Sequence, residues 1–179
     1  MDDAEAYPKL IWLDLEMTGL DPDSERIIEI ATLVTNNDLT EVIEGPDLVI
    51  KQSDEYLNHM DEWNTNQHTQ SGLLDQVRST SMSTKEAEML TLNFLRKHSE
   101  KNKSPLCGNS ISHDRRFLNR YMPELASFLH YRNIDVSSIK ELVNRWHPHL
   151  QRPLKKGSHR AMEDIKGSIE ELKYYKENL

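Results

Sequence analysis

The first sustained hydrophobic pattern runs from Lys9 to Glu16, where Leu10, Ile11, Trp12, Leu13 and Leu15 put apolar side chains on both sides of the chain. A short run that is apolar on both faces predicts a central strand covered above and below by protein. Thr18-Gly19 predicts the turn that ends it. A second β-branched run, Arg26 to Thr35, and a third, Leu39 to Ile50, broken by Gly45-Pro46, predict further strands around a turn at Asn36-Asn37-Asp38. The first third of the chain therefore reads as a meander of strands.

Beyond Ser53 the hydrophobic period becomes helical. Ser83-Thr84-Lys85-Glu86 has the capping-box pattern, in which a Ser oxygen and a Glu carboxylate satisfy free N–H groups at a helix start. Ala87, Leu90 and Phe94 carry that helix on to about His98. Pro105 to Asn109 predicts a short strand ending at a glycine turn, and Asp114 to Tyr121 a helix. Ile134 to Arg145 predicts a strand passing into a helix, with Ser138-x-x-Glu141 as a second capping box. From near Ser158 to Lys176, Met162, Ile165, Ile169 and Leu172 make one apolar stripe. Strands first, then alternating helices and strands, predict a mixed sheet with helices packed on it. No repeat or composition shift marks a linker, so a single domain over residues 1–179 is expected, with 1–7 a flexible lead.

Charge narrows the function. The chain carries 22 Lys+Arg against 30 Asp+Glu, a net charge of −8, and a single cysteine, Cys107. One cysteine excludes a disulfide scaffold, and the acidic balance argues against coating long nucleic acid, which needs a broad basic face. No apolar run approaches the roughly 18 to 20 residues that span a bilayer. The candidate Ile27 to Val34 is interrupted by Glu29 and Thr32. Asp2, Asp3 and Glu5 are the opposite of a basic signal-peptide start, so a reducing, cytoplasmic setting is expected.

The acids fall at informative places. Asp14 and Glu16 lie two apart at the end of the most buried strand and so project from the same face. They are either solvated acids at an exposed strand end or oxygen ligands for a hard divalent cation. Asp114 has Phe117, Leu118 and Tyr121 as its helical neighbours, which turns it inward; interaction with a helix N-terminus near Ser112 is the plainer alternative. Asp164 borders the apolar stripe among Ala161, Gly167 and Ser168, and His159 precedes it by about 140° of helix rotation. A histidine at the helix start can lean over a site that Asp164 lines. Arg145, Arg152, Lys155, Lys156 and Arg160 form a basic stretch, 145–160, without an acid: a solvated loop, or a lure for anionic substrate. His147-Pro148-His149 is a weak zinc signal beside a lone cysteine.

Together these residues resemble a known family. Asp14-x-Glu16, Asp114 within His113-Asp114-Arg115-Arg116-Phe117-Leu118, and His159-x4-Asp164 resemble the three motifs of the DEDDh exonuclease superfamily. Trp12 to Pro22, Arg26 to Thr32, Cys107 to Ile111 and Tyr121 to Leu125 are similar throughout to the oligoribonuclease family. The resemblance implies a ribonuclease H-like α/β fold, a five-stranded mixed sheet with its first three strands antiparallel and helices packed around it. It implies 3′→5′ removal of nucleoside 5′-monophosphates from very short RNA, above all dinucleotides. Two divalent cations per site, Mg²⁺ or Mn²⁺, would be held by Asp14, Glu16, Asp114 and Asp164, whose charges balance them.

By the same resemblance His159 is the general base, near-neutral and able to take a proton from water. Leu20 and Trp63 would sandwich the bases, His68 would lie near the scissile phosphate, and Ser110, Arg132 and Ser137 would cap the 5′ phosphate. For Trp63 a core position is the alternative. Tyr131 and Arg132 are expected from the partner subunit of a homodimer whose sites are completed across the interface. No membrane and no long duplex is expected as a partner. The competing readings are a DEDDh exonuclease acting on longer strands, and an inactive fold that only binds nucleotides or a protein.

Overall fold

The computed structural model describes residues 7–150 and 159–179. The lead expected over 1–7 lies, apart from Tyr7, outside the described residues, and so do Arg152, Lys155, Lys156 and Ser158. Five strands, β1 (Leu10–Met17), β2 (Ile27–Thr35), β3 (Val42–Val49), β4 (Leu106–Gly108) and β5 (Asn133–Asp135), form one sheet in the order β3-β2-β1-β4-β5. β1, β2 and β3 pair antiparallel, while β4 and β5 run parallel to β1. The expected mixed sheet with an antiparallel first half is the observed one.

Helices cover both faces of the sheet, which is why β1 is apolar on both sides. Ile11, Leu13 and Leu15 face one core with α4 (Thr84–Leu95), α5 (Ser112–Tyr121) and α6 (Pro123–Phe128). Leu10 and Trp12 face the other, with α7 (Val136–Trp146) and α8 (Ala161–Asn178). Of the remaining helices, α1 (Asp54–His59) and α3 (Leu73–Ser79) are anchored on the sheet by a smaller cluster of Ile28, Leu57, Met60, Leu73, Leu74 and Val77, and α2 (Glu62–Gln70) packs against α3. The capping box at Ser83 is present in full, its oxygen accepting from Glu86 N and the Glu86 carboxylate accepting from Ser83 N.

Two local expectations are corrected. Gly45-Pro46 does not break the third strand; it sits inside β3 as a bulge, with Ala31 opposite Asp47 and Leu33 opposite Glu44. β3 is the sheet edge, where a proline's missing N–H costs no ladder bond, and a Cβ at Gly45 would collide with the Phe94 ring. Ser138 does not cap α7. Asp135 does so three residues earlier, accepting from Ser137 N at 2.9 Å, which leaves Ser138 inside the helix.

The topology gathers one end of the sheet. β1, β4 and β5 are parallel, so their carboxyl ends open on the same side, the usual place for a site in an α/β sheet.

Candidate functional site

β1 places the first pair of acids. Alternation puts Asp14 and Glu16 on the Leu10/Trp12 face, the one α8 covers. The α8 stripe, with Met162, Ile165 and Ile169 in that core, then brings Asp164 on the helix's first turn over the end of the strand. Asp114 arrives from the opposite layer. β4 ends at Gly108, so Leu15 N has no neighbouring strand on that side, and the Asp114 carboxylate accepts from it at 2.9 Å. Gly108 makes the departure possible, since a Cβ there would meet Leu13 O at 3.1 Å and crowd Ile111.

Among the described residues one set of three candidate ligands has its donor atoms all within 4.8 Å of one another: Glu16, His159 and Asp164. Asp14, two residues before Glu16 on the same face of β1, and Asp114, whose charge acts on Glu16, are not in this set. Burial, then the charges of Asp164, Glu29 and Asp114, push the Glu16 carboxyl up to about 8. Burial raises Asp114 to about 7 against the stabilising Leu15 N–H bond. Acids so crowded resist ionising together, and a hard cation with oxygen ligands removes the penalty. The donor set therefore fits divalent ions.

His68 points at the same place. It is 2% exposed, and its Nε2 lies 2.9 Å from Met17 O. A carbonyl only accepts, so Nε2 carries the proton. Nδ1 then turns its lone pair toward Glu16 Oε2, 4.0 Å away, and has no hydrogen-bond partner among the described residues. Burial lowers the His68 pKa, so the contact with Glu16 is not an ion pair of charged groups.

Trp63 is not a core residue: it is 59% exposed on α2, and its ring meets the His159 ring edge-on with centroids 5.5 Å apart. Leu20 is also exposed, on the loop after β1. That loop is tied at its base, where Thr18 N donates to Arg26 O, Arg26 N donates to Thr18 Oγ1, and the Thr18 hydroxyl donates to the Glu25 carboxylate.

At the ends of β4 and β5 the Ser110 and Ser137 hydroxyls lie 3.2 Å apart, and Ser110 N is shared between Asp135 Oδ1 and Ser137 Oγ at 2.9 Å each. Asn109 connects this pair to the acids: its Oδ1 accepts from Ser137 Oγ, its Nδ2 donates to Ser168 Oγ, and Ser168 Oγ donates to Asp164 O. Sequence reasoning overlooked Asn109, which carries no signal of its own.

Tyr131 and Arg132 are elsewhere. They precede Asn133, which is level with Leu106 and so with Ile11 at the start of β1. Glu16 stands five residues further along β1, roughly 16 Å at about 3.3 Å per residue. Tyr131 is exposed there and stacks with Arg132, whose guanidinium carbon lies 5.3 Å from the ring centroid.

The pairing of Glu29 with Arg160 is not legible in the sequence, which shows Arg160 only as part of the basic stretch 145–160. Glu29 is fully buried on β2 directly opposite Glu16 and is gripped by the Arg160 guanidinium. The available signal was one acid within a strand that is otherwise apolar or threonine.

Comparison with known proteins shows the family. The exonuclease family RNase T matches residues 11–172. The oligoribonuclease of Acinetobacter baylyi is 56% identical over 170 residues, covering 94% of this chain and 93% of that protein. The oligoribonuclease of Escherichia coli K12 is 55% identical over 170 residues, 94% of each chain. Among solved structures, a zinc-bound Escherichia coli exonuclease I–ssDNA complex superposes with a TM-score of 0.72 at 16% identity, over 96% of this chain and 41% of that one. The chain thus spans about two fifths of exonuclease I, and that likeness concerns the fold.

Proposed function

Since the chain belongs to the exonuclease family, in its oligoribonuclease branch, we propose that it hydrolyses very short RNA from the 3′ end, dinucleotides above all, releasing nucleoside 5′-monophosphates with two divalent cations. The observation that carries this reading is the convergence of Glu16, His159 and Asp164 within 4.8 Å, with Asp14 on the same strand face and the charge of Asp114 acting on Glu16. The enzyme is a hydrolase, a 3′→5′ exoribonuclease. No helix among the described residues is long and apolar enough to cross a membrane. A cytoplasmic setting accords with Cys107, a buried free thiol.

Asp14, Glu16, Asp114 and Asp164 would hold Mg²⁺ or Mn²⁺. When bound, such ions polarise the attacking water and stabilise the leaving 3′ oxygen. His159 takes the water's proton on a ring nitrogen. Its place before α8 suits this work, because the loop lets the ring overhang the acids instead of pointing outward with the helix. His68 offers its Nδ1 lone pair at Glu16, where it can accept from a water or a protonated acid. Trp63 and Leu20 leave broad apolar faces open, and stacking on them is worth about 1–3 kcal/mol per base while accepting any sequence.

Ser110 and Ser137 would end the site at the 5′ phosphate, so that two nucleotides fill it. Tyr131 and Arg132 precede β5, at the end of the strand away from the acids. They complete the site of a second copy in a homodimer, and Arg132 supplies the positive charge for the 5′ phosphate. Turnover of a 5′-phosphorylated dinucleotide against a twenty-nucleotide strand tests the reading. Faster cleavage of the dinucleotide is expected, and equal or better activity on the long strand would refute it.

A further inference from the structure

The N-terminus of α8 has an unusual cap. Its N-cap residue is Arg160, in extended backbone, and no side chain of the cap residue satisfies the free N–H groups that follow. The acceptor comes instead from β2: Glu29 Oε2 takes the Ala161 N–H at 3.0 Å. Its other oxygen takes Arg160 Nε at 2.9 Å and Nη2 at 2.7 Å, a forked contact. Arg160 Nη2 also donates to Gln76 Oε1 on α3 at 2.9 Å. One carboxylate thus ties β2, α3 and α8 together at the two residues that follow His159.

Stability alone is a poor reason for this carboxylate. A buried ion pair is often no better for folding than apolar residues of the same volume. Here the acid also stands opposite Glu16 and near Asp47, adding negative charge to a site already crowded with it. What three directed hydrogen bonds supply is geometry. His159 itself sits at φ 52°, the left-handed region that a residue with a Cβ occupies at a cost of roughly 1–2 kcal/mol. Something beyond His159 must hold it there, and the clamp begins at the next residue.

We propose that Glu29 is a positioning residue for the reaction: by holding the Arg160 side chain and the Ala161 amide, it fixes the backbone turn from which His159 overhangs Glu16 and Asp164. This rests on the reading of His159 as the base. The bond pattern requires a carboxylate, because an amide in its place turns an N–H toward either Arg160 or Ala161, both of which only donate.

The test is Glu29→Gln, nearly the same shape, with Arg160→Lys as a second variant that keeps the charge and loses the fork. Kinetics on a 5′-phosphorylated dinucleotide are combined with amide hydrogen exchange read segment by segment. For Glu29→Gln we expect kcat to fall about 10- to 100-fold with KM within about threefold, as for a displaced catalytic group. Exchange should accelerate across 159–164 in the metal-free protein while the β1 amides stay protected, and Arg160→Lys should move both readouts in the same direction by less. Unchanged kcat in both variants, or a rise in KM alone, overturns the proposal. If Glu29→Gln does not fold, Arg160→Lys decides by the same readouts. A His159→Ala enzyme of full rate would instead overturn the base assignment beneath it, so the two failures are distinguishable.

Discussion

Glu16→Gln should stabilise the metal-free protein while destroying the enzyme. An ordinary glutamate releases its proton near 4.5, whereas Glu16, held by burial and by the charges of Asp164, Glu29 and Asp114, releases it near 8. Between those values the unfolded chain binds fewer protons than the folded one, so folding stability falls as pH rises from about 4.5 and levels off above about 8. The full separation corresponds to at most roughly 5 kcal/mol, and so to at most about 10–20 °C in melting temperature for a domain of this size. Gln removes that loss and can also turn its amide N–H toward the open Nδ1 of His68. Thermal denaturation in EDTA from pH 5 to pH 9 reads the effect. The two proteins should melt together near pH 5 and diverge as pH rises, with the variant the more stable. Added Mn²⁺ should raise the wild-type midpoint at pH 8 and barely move the variant, since a ligand stabilises only the fold that binds it. A gap independent of pH, or a wild type more stable than the variant in EDTA at pH 9, would show that the buried Glu16 charge does not destabilise the fold.

His159→Ala should lower kcat about 100-fold or more, as removal of a general base does, while calorimetry shows Mn²⁺ binding retained; lost Mn²⁺ affinity would make His159 a ligand. Trp63→Ala should raise KM about 10- to 100-fold by loss of stacking, with an unchanged melting temperature because the ring is exposed; a destabilised variant would return Trp63 to the core. Arg132→Ala should weaken dinucleotide affinity and leave a dimer in sedimentation, and a fully active monomer would contradict the sharing of sites.

The elements that carry the acids were legible in the sequence because each rests on a local pattern, whereas the five-stranded sheet and the acids' role as ligands rested on the family resemblance. β1 declares itself by apolar residues on both faces, α4 by its Ser83 box and α8 by its stripe, and those elements carry Asp14, Glu16 and Asp164. What the sequence concealed is what depends on partners distant along the chain. Glu29 looked like a flaw in an apolar run until the fold brought Arg160 and Ala161, some 130 residues later, onto its oxygens. Gly45-Pro46 looked like a break because a break and an edge bulge use the same residues. Ser138-x-x-Glu141 lost the cap to Asp135, whose carboxylate serves Ser110 N as well as Ser137 N. The backbone at the end of β4 could not be seen from either segment alone.

On the proposed function, the acids gathered at the carboxyl end of β1 hold a pair of divalent ions around a dinucleotide. A crystal structure with Mn²⁺ and a non-hydrolysable 5′-phosphorylated dinucleotide, with manganese located by anomalous scattering, tests it directly. Two manganese peaks held by Asp14, Glu16, Asp114 and Asp164 are expected, with His159 beside them and not bound to either. A single peak, or manganese bound directly to His159, would contradict it.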